Sequence, residues 1–199
     1  MMAIEKLSVV TPANWISGPE QGKWTYNEYA AISEDGQFEV VNGVMYMSPS
    51  PGWDRQSILG EIFAHLRSFV RVADLGIVGM APFDIELSSH TVVQPDVFVL
   101  LKEHRNRLTK ARMLGAPDLV VEIASPSTAR HDLHEKQDAY ARAGVSEYWV
   151  VNPDAQTVEL LVLRNGAYHS LGLFAGEATL PSVIVPGFPV QVSQFFVAL

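Results

Sequence analysis

Cysteine is absent from the 199 residues, which removes disulfides, thiolate zinc sites and cysteine nucleophiles together. No apolar run approaches the roughly 20 residues that a membrane-spanning helix needs. The opening, MMAIEKLSVVTPANW, has no basic segment followed by a long apolar one, so no signal peptide is expected and a cytoplasmic location is read. Basic residues are scarce as well: 14 Lys and Arg against 22 Asp and Glu give a net charge of −8. That balance argues against a protein whose main task is to coat nucleic acid, where a positive surface supplies most of the affinity. It does not exclude a nuclease, because catalytic carboxylates add negative charge. Internal repeats, low-complexity tracts and phosphate-cradling glycine loops are missing too, which leaves little room for a nucleotide-dependent kinase or dehydrogenase.

What is present is material for a packed core. Hydrophobic residues make up 48% and charged residues 18%, the composition of a folded domain rather than a disordered chain. Thr25 with Glu28 three residues on marks the start of a short helix. Asn42-Gly43 and Asn165-Gly166 each separate two β-prone runs, a hairpin signal at either end of the chain. Between them, Ile58, Ile62, His65, Leu66 and Phe69 recur at helical spacing, with Gly76 as the expected stop. Strands are predicted near 77–87, 92–101 and 118–124, then a helix from about Asp132 to Ala143 ending at Gly144, then the strand EYWVV. Strand, helix and strand at this spacing make a crossover with parallel strands. The order predicts an α/β or α+β domain with a mixed sheet.

Two acidic residues break the apolar pattern. Glu122 stands inside Leu119, Val120, Val121, Ile123 and Ala124, and an unpaired buried carboxylate is costly. It must be paired, protonated or bound to metal; a buried pair with some arginine is the alternative to a catalytic role. Asp96 follows Pro95, which belongs at a strand start, so Asp96 enters the sheet before Val97–Leu101, as a turn-forming residue or as a ligand. Lys136 is the third anomaly. On a helical wheel it falls with Tyr140 on the stripe that should face the sheet, while Glu135, Asp138 and Arg142 face away. Either it snorkels to water, or its ammonium reaches toward Glu122. Two hard carboxylates on adjacent strands can bind Mg²⁺ or Mn²⁺, and a nearby lysine would orient the attacking water, so the three residues suggest metal-dependent phosphodiester hydrolysis. Residues 102–112 hold five of the 14 basic residues. They form either a solvated segment or a phosphate-contacting edge beside the active site.

The stretches QPDV, PDLVVEIASPST, the Asp, Lys and Tyr of HDLHEKQDAY, and AGVSEYWVVNP resemble the Uma family of restriction-endonuclease-like proteins, within the PD-(D/E)XK nuclease superfamily. The resemblance runs from about Thr25 to near the C-terminus and is most specific over 117–153. It implies a single restriction-endonuclease-like domain over 25–199 after an N-terminal extension of 1–24, with a mixed sheet flanked by helices. By this resemblance Asp96 and Glu122 are catalytic metal ligands, and Glu39 is an acidic residue that can join them. The superfamily's lysine position is Ala124 here, so Lys136 resembles that lysine moved to the next helix. Where the family often has a histidine, this chain has Arg55, read as a surface arginine by default and otherwise as a phosphate contact. Asp132 is read as a helix N-cap rather than a ligand.

The expected function is a Mg²⁺- or Mn²⁺-dependent endonuclease acting on DNA, with RNA not excluded and a homodimer plausible on symmetry grounds. Arg105, Arg107, Lys110 and Arg112 are the candidate nucleic-acid contacts. The rival from another class is a nuclease fold kept as a non-catalytic interaction module, which the acidic charge and Ala124 favour. His131 and His134 lack a helical His-Glu-x-x-His zinc motif, and Ser125 and Ser127 lack the Gly-x-Ser-x-Gly turn of a hydrolase nucleophile.

Overall fold

The structure is a computed structural model that describes residues 10–124 and 130–196, without the side chains of 130–133. Ser125 and Ser127, and the side chains of His131 and Asp132, lie outside the described residues.

Among the described residues the first elements are β1 (Thr11–Pro12) and α1 (Tyr26–Tyr29), the latter opening where Glu28 accepts the Thr25 backbone N–H at 3.1 Å. The first hairpin is β2 (Gln37–Val41) and β3 (Val44–Ser48). Asn42 and Gly43 both have positive φ, 52° and 76°, the two-residue turn whose twist suits a hairpin. Next come α2 (Trp53–Val72), β4 (Gly76–Met80), β5 (Ile85–Ser88), β6 (Thr91–Val93) and β7 (Val97–Leu101). A 3₁₀ turn over Lys102–Arg107 leads to β8 (Met113–Leu114), β9 (Leu119–Ile123) and α3 (Arg130–Ala143). The last described elements are β10 (Glu147–Asn152), β11 (Thr157–Arg164), β12 (Ala167–Ala175) and a helical turn at Val192–Phe195.

The architecture is mixed α/β, and its strands divide between two mixed sheets. One has the order β1-β3-β2-β6-β5-β8 and the other β12-β11-β10-β9-β7-β4. The parallel pair expected from the crossover is β9 with β10, and the late hairpin is β11 with β12. In the second sheet, alternate residues pack on opposite faces. Val97, Val99, Leu119, Val121 and Ile123 face α2 and a C-terminal layer that includes Val185, Phe188 and Phe195. Phe98, Leu100, Val120 and Tyr148 face Tyr140 of α3, with Val41, Ile85 and Val93 from the first sheet. The early residues are tied in as well: Ala13, Ile16 and Trp24 are buried against Phe38, Val40 and Met45. Among the described residues, no helix is long and apolar enough to cross a membrane.

Two helix ends differ from expectation. α3 begins at Arg130, so Asp132 lies within its first turn rather than before it. α2 ends at Val72, with Ala73 as its cap and Asp74 at φ 53°, so Gly76 does not stop it. Gly76 instead begins β4, where a Cβ would collide with the Leu100 carbonyl oxygen of the neighbouring strand. The glycine is required by the close approach of β4 to β7. Gly76→Ala should therefore cost about 1–3 kcal/mol through overpacking. The check is a lower urea midpoint with an unchanged slope.

Candidate active site

The β7–β9 register pairs Val97 with Val121, and one step further brings Asp96 level with Glu122. Glu122 leaves the sheet on the side of α3, where Tyr140 and Lys136 meet it, and Asp96 meets Arg55 from the start of α2; Asp96 is 5% exposed and Glu122 4%. Asp96 sits where the chain, having left β6 of the first sheet, enters β7 of the second. Glu39 comes from β2 of the first sheet, Lys136 and Tyr140 from α3, and Arg55 from the first turn of α2. Glu39, Arg55, Asp96, Glu122 and Lys136 line one cavity of about 170 Å³.

Every acid in this cavity is engaged. Asp96 accepts the Ile123 backbone N–H at 2.7 Å, and Arg55 Nη2 lies 2.9 and 2.8 Å from its two oxygens. Glu122 accepts the Tyr140 hydroxyl at 2.7 Å and pairs with Lys136 Nζ at 2.7 Å. The same ammonium donates to both oxygens of Glu39, at 3.0 and 3.2 Å. Glu39 also accepts the Gln94 backbone N–H at 2.6 Å. Gln94 in turn is held by its side chain, which donates to Tyr29 Oη and Asp84.

Burial would by itself push the Lys136 ammonium toward neutrality, but Glu122 and Glu39 outweigh it and raise the pKa well above the ordinary lysine value. The stabilisation is present below that ordinary value and lost only as pH rises through the raised one, so Lys136 stays charged across the neutral range. Arg55 is likewise held charged, the pull of Asp96 overcoming its desolvation. Burial, with the charge of Glu122 added, raises Asp96 above the usual carboxylate range, against the opposing pull of Arg55. Desolvation and the facing carboxylates also keep Tyr140 protonated as a donor.

The sequence-predicted set is thus gathered at one place: Asp96, Glu122, Lys136 and Glu39 share the cavity. An all-oxygen set of buried carboxylates suits a hard cation such as Mg²⁺ or Mn²⁺, which keeps several waters of its own. Among the described residues, however, no group of three or more His, Asp and Glu is placed to hold a metal ion; Asp96 is paired with Arg55, and Glu122 and Glu39 with Lys136.

Arg55 is not the surface arginine of the default reading. Its side chain is 25% exposed and paired with Asp96. Its sequence signal was only the departure from a histidine. Tyr140 and Gln94 also belong to the site; Tyr140 shares the wheel stripe of Lys136, whereas nothing in the sequence marks Gln94. The basic segment lies elsewhere. It leaves the far end of β7, a strand of five residues and so about 17 Å long, and none of its residues lines the cavity. Arg107 binds the Ala116 carbonyl at 2.6 Å, and Arg112 pairs with Glu86 at 2.6 Å while covering the Tyr26 ring. Arg105 and Lys110 are exposed.

Residues 25–193 match the model of the Uma2 family, described as "Putative restriction endonuclease". Among solved structures, a crystal structure titled as a putative nuclease belonging to DUF820, from Anabaena variabilis ATCC 29413, has a similar fold. The TM-score is 0.71 at 20% identity, over 87% of this chain and 97% of that one. No curated protein matches the chain.

Lys136→Met should cost on the order of 3–5 kcal/mol in urea unfolding, because removing one partner strands buried charge. Asp96 carries a pH signature. An acid whose pKa is raised on folding favours the folded state at low pH, and this is lost as pH rises through the raised value. The stability of the wild type relative to Asp96→Asn should therefore fall as pH rises above about 4, near the unperturbed aspartate value, as followed by thermal melts.

Proposed function

Because the chain belongs to the Uma2 family, we propose that it is a divalent-metal-dependent endonuclease that hydrolyses phosphodiester bonds of DNA. The observation that carries this reading is the convergence of Asp96, Glu122 and Lys136 on one shared cavity. Asp96 and Glu122 would hold Mg²⁺ or Mn²⁺, with Glu39 as a third carboxylate within reach of Lys136. When bound, the ion lowers the pKa of coordinated water and neutralises charge on the phosphodiester.

The chain's own residues supply positioning and charge. Tyr140 and Lys136 hold Glu122 by two donors, so its rotamer is set before substrate arrives. The Lys136 ammonium, fixed among Glu122 and Glu39, orients a water and balances negative charge developing on the phosphate. Preorganised donors of this kind act strongly because they cost no reorganisation during reaction. Lys136 comes from the helix after the strand and so takes the place left by Ala124. On duplex DNA, a twofold pair of chains would present one such site to each strand. Arg105 and Lys110 remain exposed candidates for backbone contact away from the centre.

One observation favours a second reading, a nuclease fold without catalysis: the carboxylates already have cationic partners. Thermal melts with and without Mn²⁺ separate the two, since a ligand that binds only the folded state raises its stability. The direct test is plasmid and RNA cleavage in Mn²⁺. Asp96→Ala, Glu122→Ala and Lys136→Ala should each lose about 100-fold or more in rate. If all three digest as fast as wild type, the cutting arises elsewhere and the assignment fails.

A further inference from the structure

Arg55 raises a question that the nuclease reading leaves open. Its Nη2 sits within 2.9 Å of both carboxylate oxygens of Asp96, the oxygens a divalent ion would need. Among the described residues, the other hydrogen bond to that carboxylate comes from the Ile123 backbone N–H. The ion and the guanidinium therefore compete for one ligand.

Charge makes the same point. Among the described residues, with all five groups ionised, three carboxylates face two cations, Arg55 and Lys136, leaving one negative charge. A divalent ion reverses that to one positive charge, and a single phosphodiester then brings the cavity to neutrality. The two cations are not equally placed to yield. Lys136 is 7% exposed and bridges two carboxylates. Arg55 holds one carboxylate from the first turn of α2, lines the cavity, and keeps a quarter of its side chain open to solvent. Its planar fork suits phosphate as well as carboxylate.

We propose that Arg55 is an internal stand-in for the divalent ion: it neutralises Asp96 until the ion arrives, then swings off the carboxylate and binds the substrate phosphate. This inference rests on the metal-dependent reading above. Arg55 is a positioning and phosphate-binding residue that sets a threshold for loading the site. If the guanidinium is off Asp96 for about a tenth of the time, apparent metal affinity falls about tenfold.

The test uses the full chain as wild type, Arg55→Gln and Arg55→Lys, with Mn²⁺ titrated calorimetrically and melts recorded in EDTA and in Mn²⁺. Arg55→Gln should melt below wild type in EDTA, bind Mn²⁺ about tenfold more tightly, and gain more melting temperature from the ion. A merely structural arginine would lower both melts and leave the gain unchanged. Arg55→Lys keeps the charge without the fork and should fall between the two; should Arg55→Gln fail to fold, Arg55→Lys carries the comparison. Mn²⁺ binding in the variants no tighter than in wild type overturns the inference and leaves the nuclease reading standing. No Mn²⁺ binding to wild type or to either variant removes the metal-dependent reading, and the inference with it. For the phosphate step, a labelled phosphorothioate DNA duplex is titrated in EDTA and in Mn²⁺. Wild type should gain more affinity from Mn²⁺ than Arg55→Gln does, and equal gains overturn that half of the proposal.

Discussion

A carboxylate inside an apolar strand cannot remain alone, and the Glu122–Lys136 pair is how this fold resolves that constraint. Glu122 belongs to one sheet, Lys136 to α3, and Glu39, the second acid on the same ammonium, to the other sheet. One charged contact network thereby joins three pieces of structure that are distant along the chain. The Tyr140 hydroxyl and the Gln94 backbone N–H complete it. The attraction is strong because the site is shielded from water, and for the same reason loss of one partner would be expensive.

Burial of an acid is not by itself a sign of chemistry, and this molecule shows both outcomes. Glu147 is fully buried at the start of β10. It accepts the Trp149 indole N–H at 2.6 Å and the backbone N–H groups of Val183 and Ile184, which fastens the C-terminal loop to the sheet. Asp118 is buried as well, with the Leu101 N–H and His104 as partners. Neither shares the cavity with a second acid. Asp96 and Glu122 differ because they meet each other, so that burial concentrates like charge and calls for cations. The distinction lies in what surrounds each carboxylate, not in the residues beside it in the chain.

Much of the fold was legible because it follows from local rules. Asn42-Gly43 and Asn165-Gly166 adopt positive φ at all four positions and form the two hairpins they predict. The crossover between β9 and β10 follows from spacing. Gly76 misled, because a glycine after a helix reads as a stop, whereas here its small size serves a contact with Leu100 across the sheet. The strands predicted as two long runs near 77–87 and 92–101 split into four, since the chain passes between the sheets there. In the site, Lys136 was visible as a lysine on an inward stripe. Arg55 was not, because its partner lies 41 residues away and nothing in GWDRQS marks that contact. The basic run 102–112 looked like one functional patch, yet Arg107 is held by the Ala116 carbonyl and Arg112 by Glu86 and the Tyr26 ring.

The sequence alone determined the element types, the two tight turns and the three charged residues out of place in an apolar pattern, because backbone preference and side-chain periodicity act over a few residues. Tertiary structure decided which faces meet, that Asp96 and Glu122 stand side by side, and which cation answers each acid. Those choices depend on strand register and on the docking of α2 and α3. Electrostatic attraction in a buried cavity depends on distance in space, and chain separation says nothing about it.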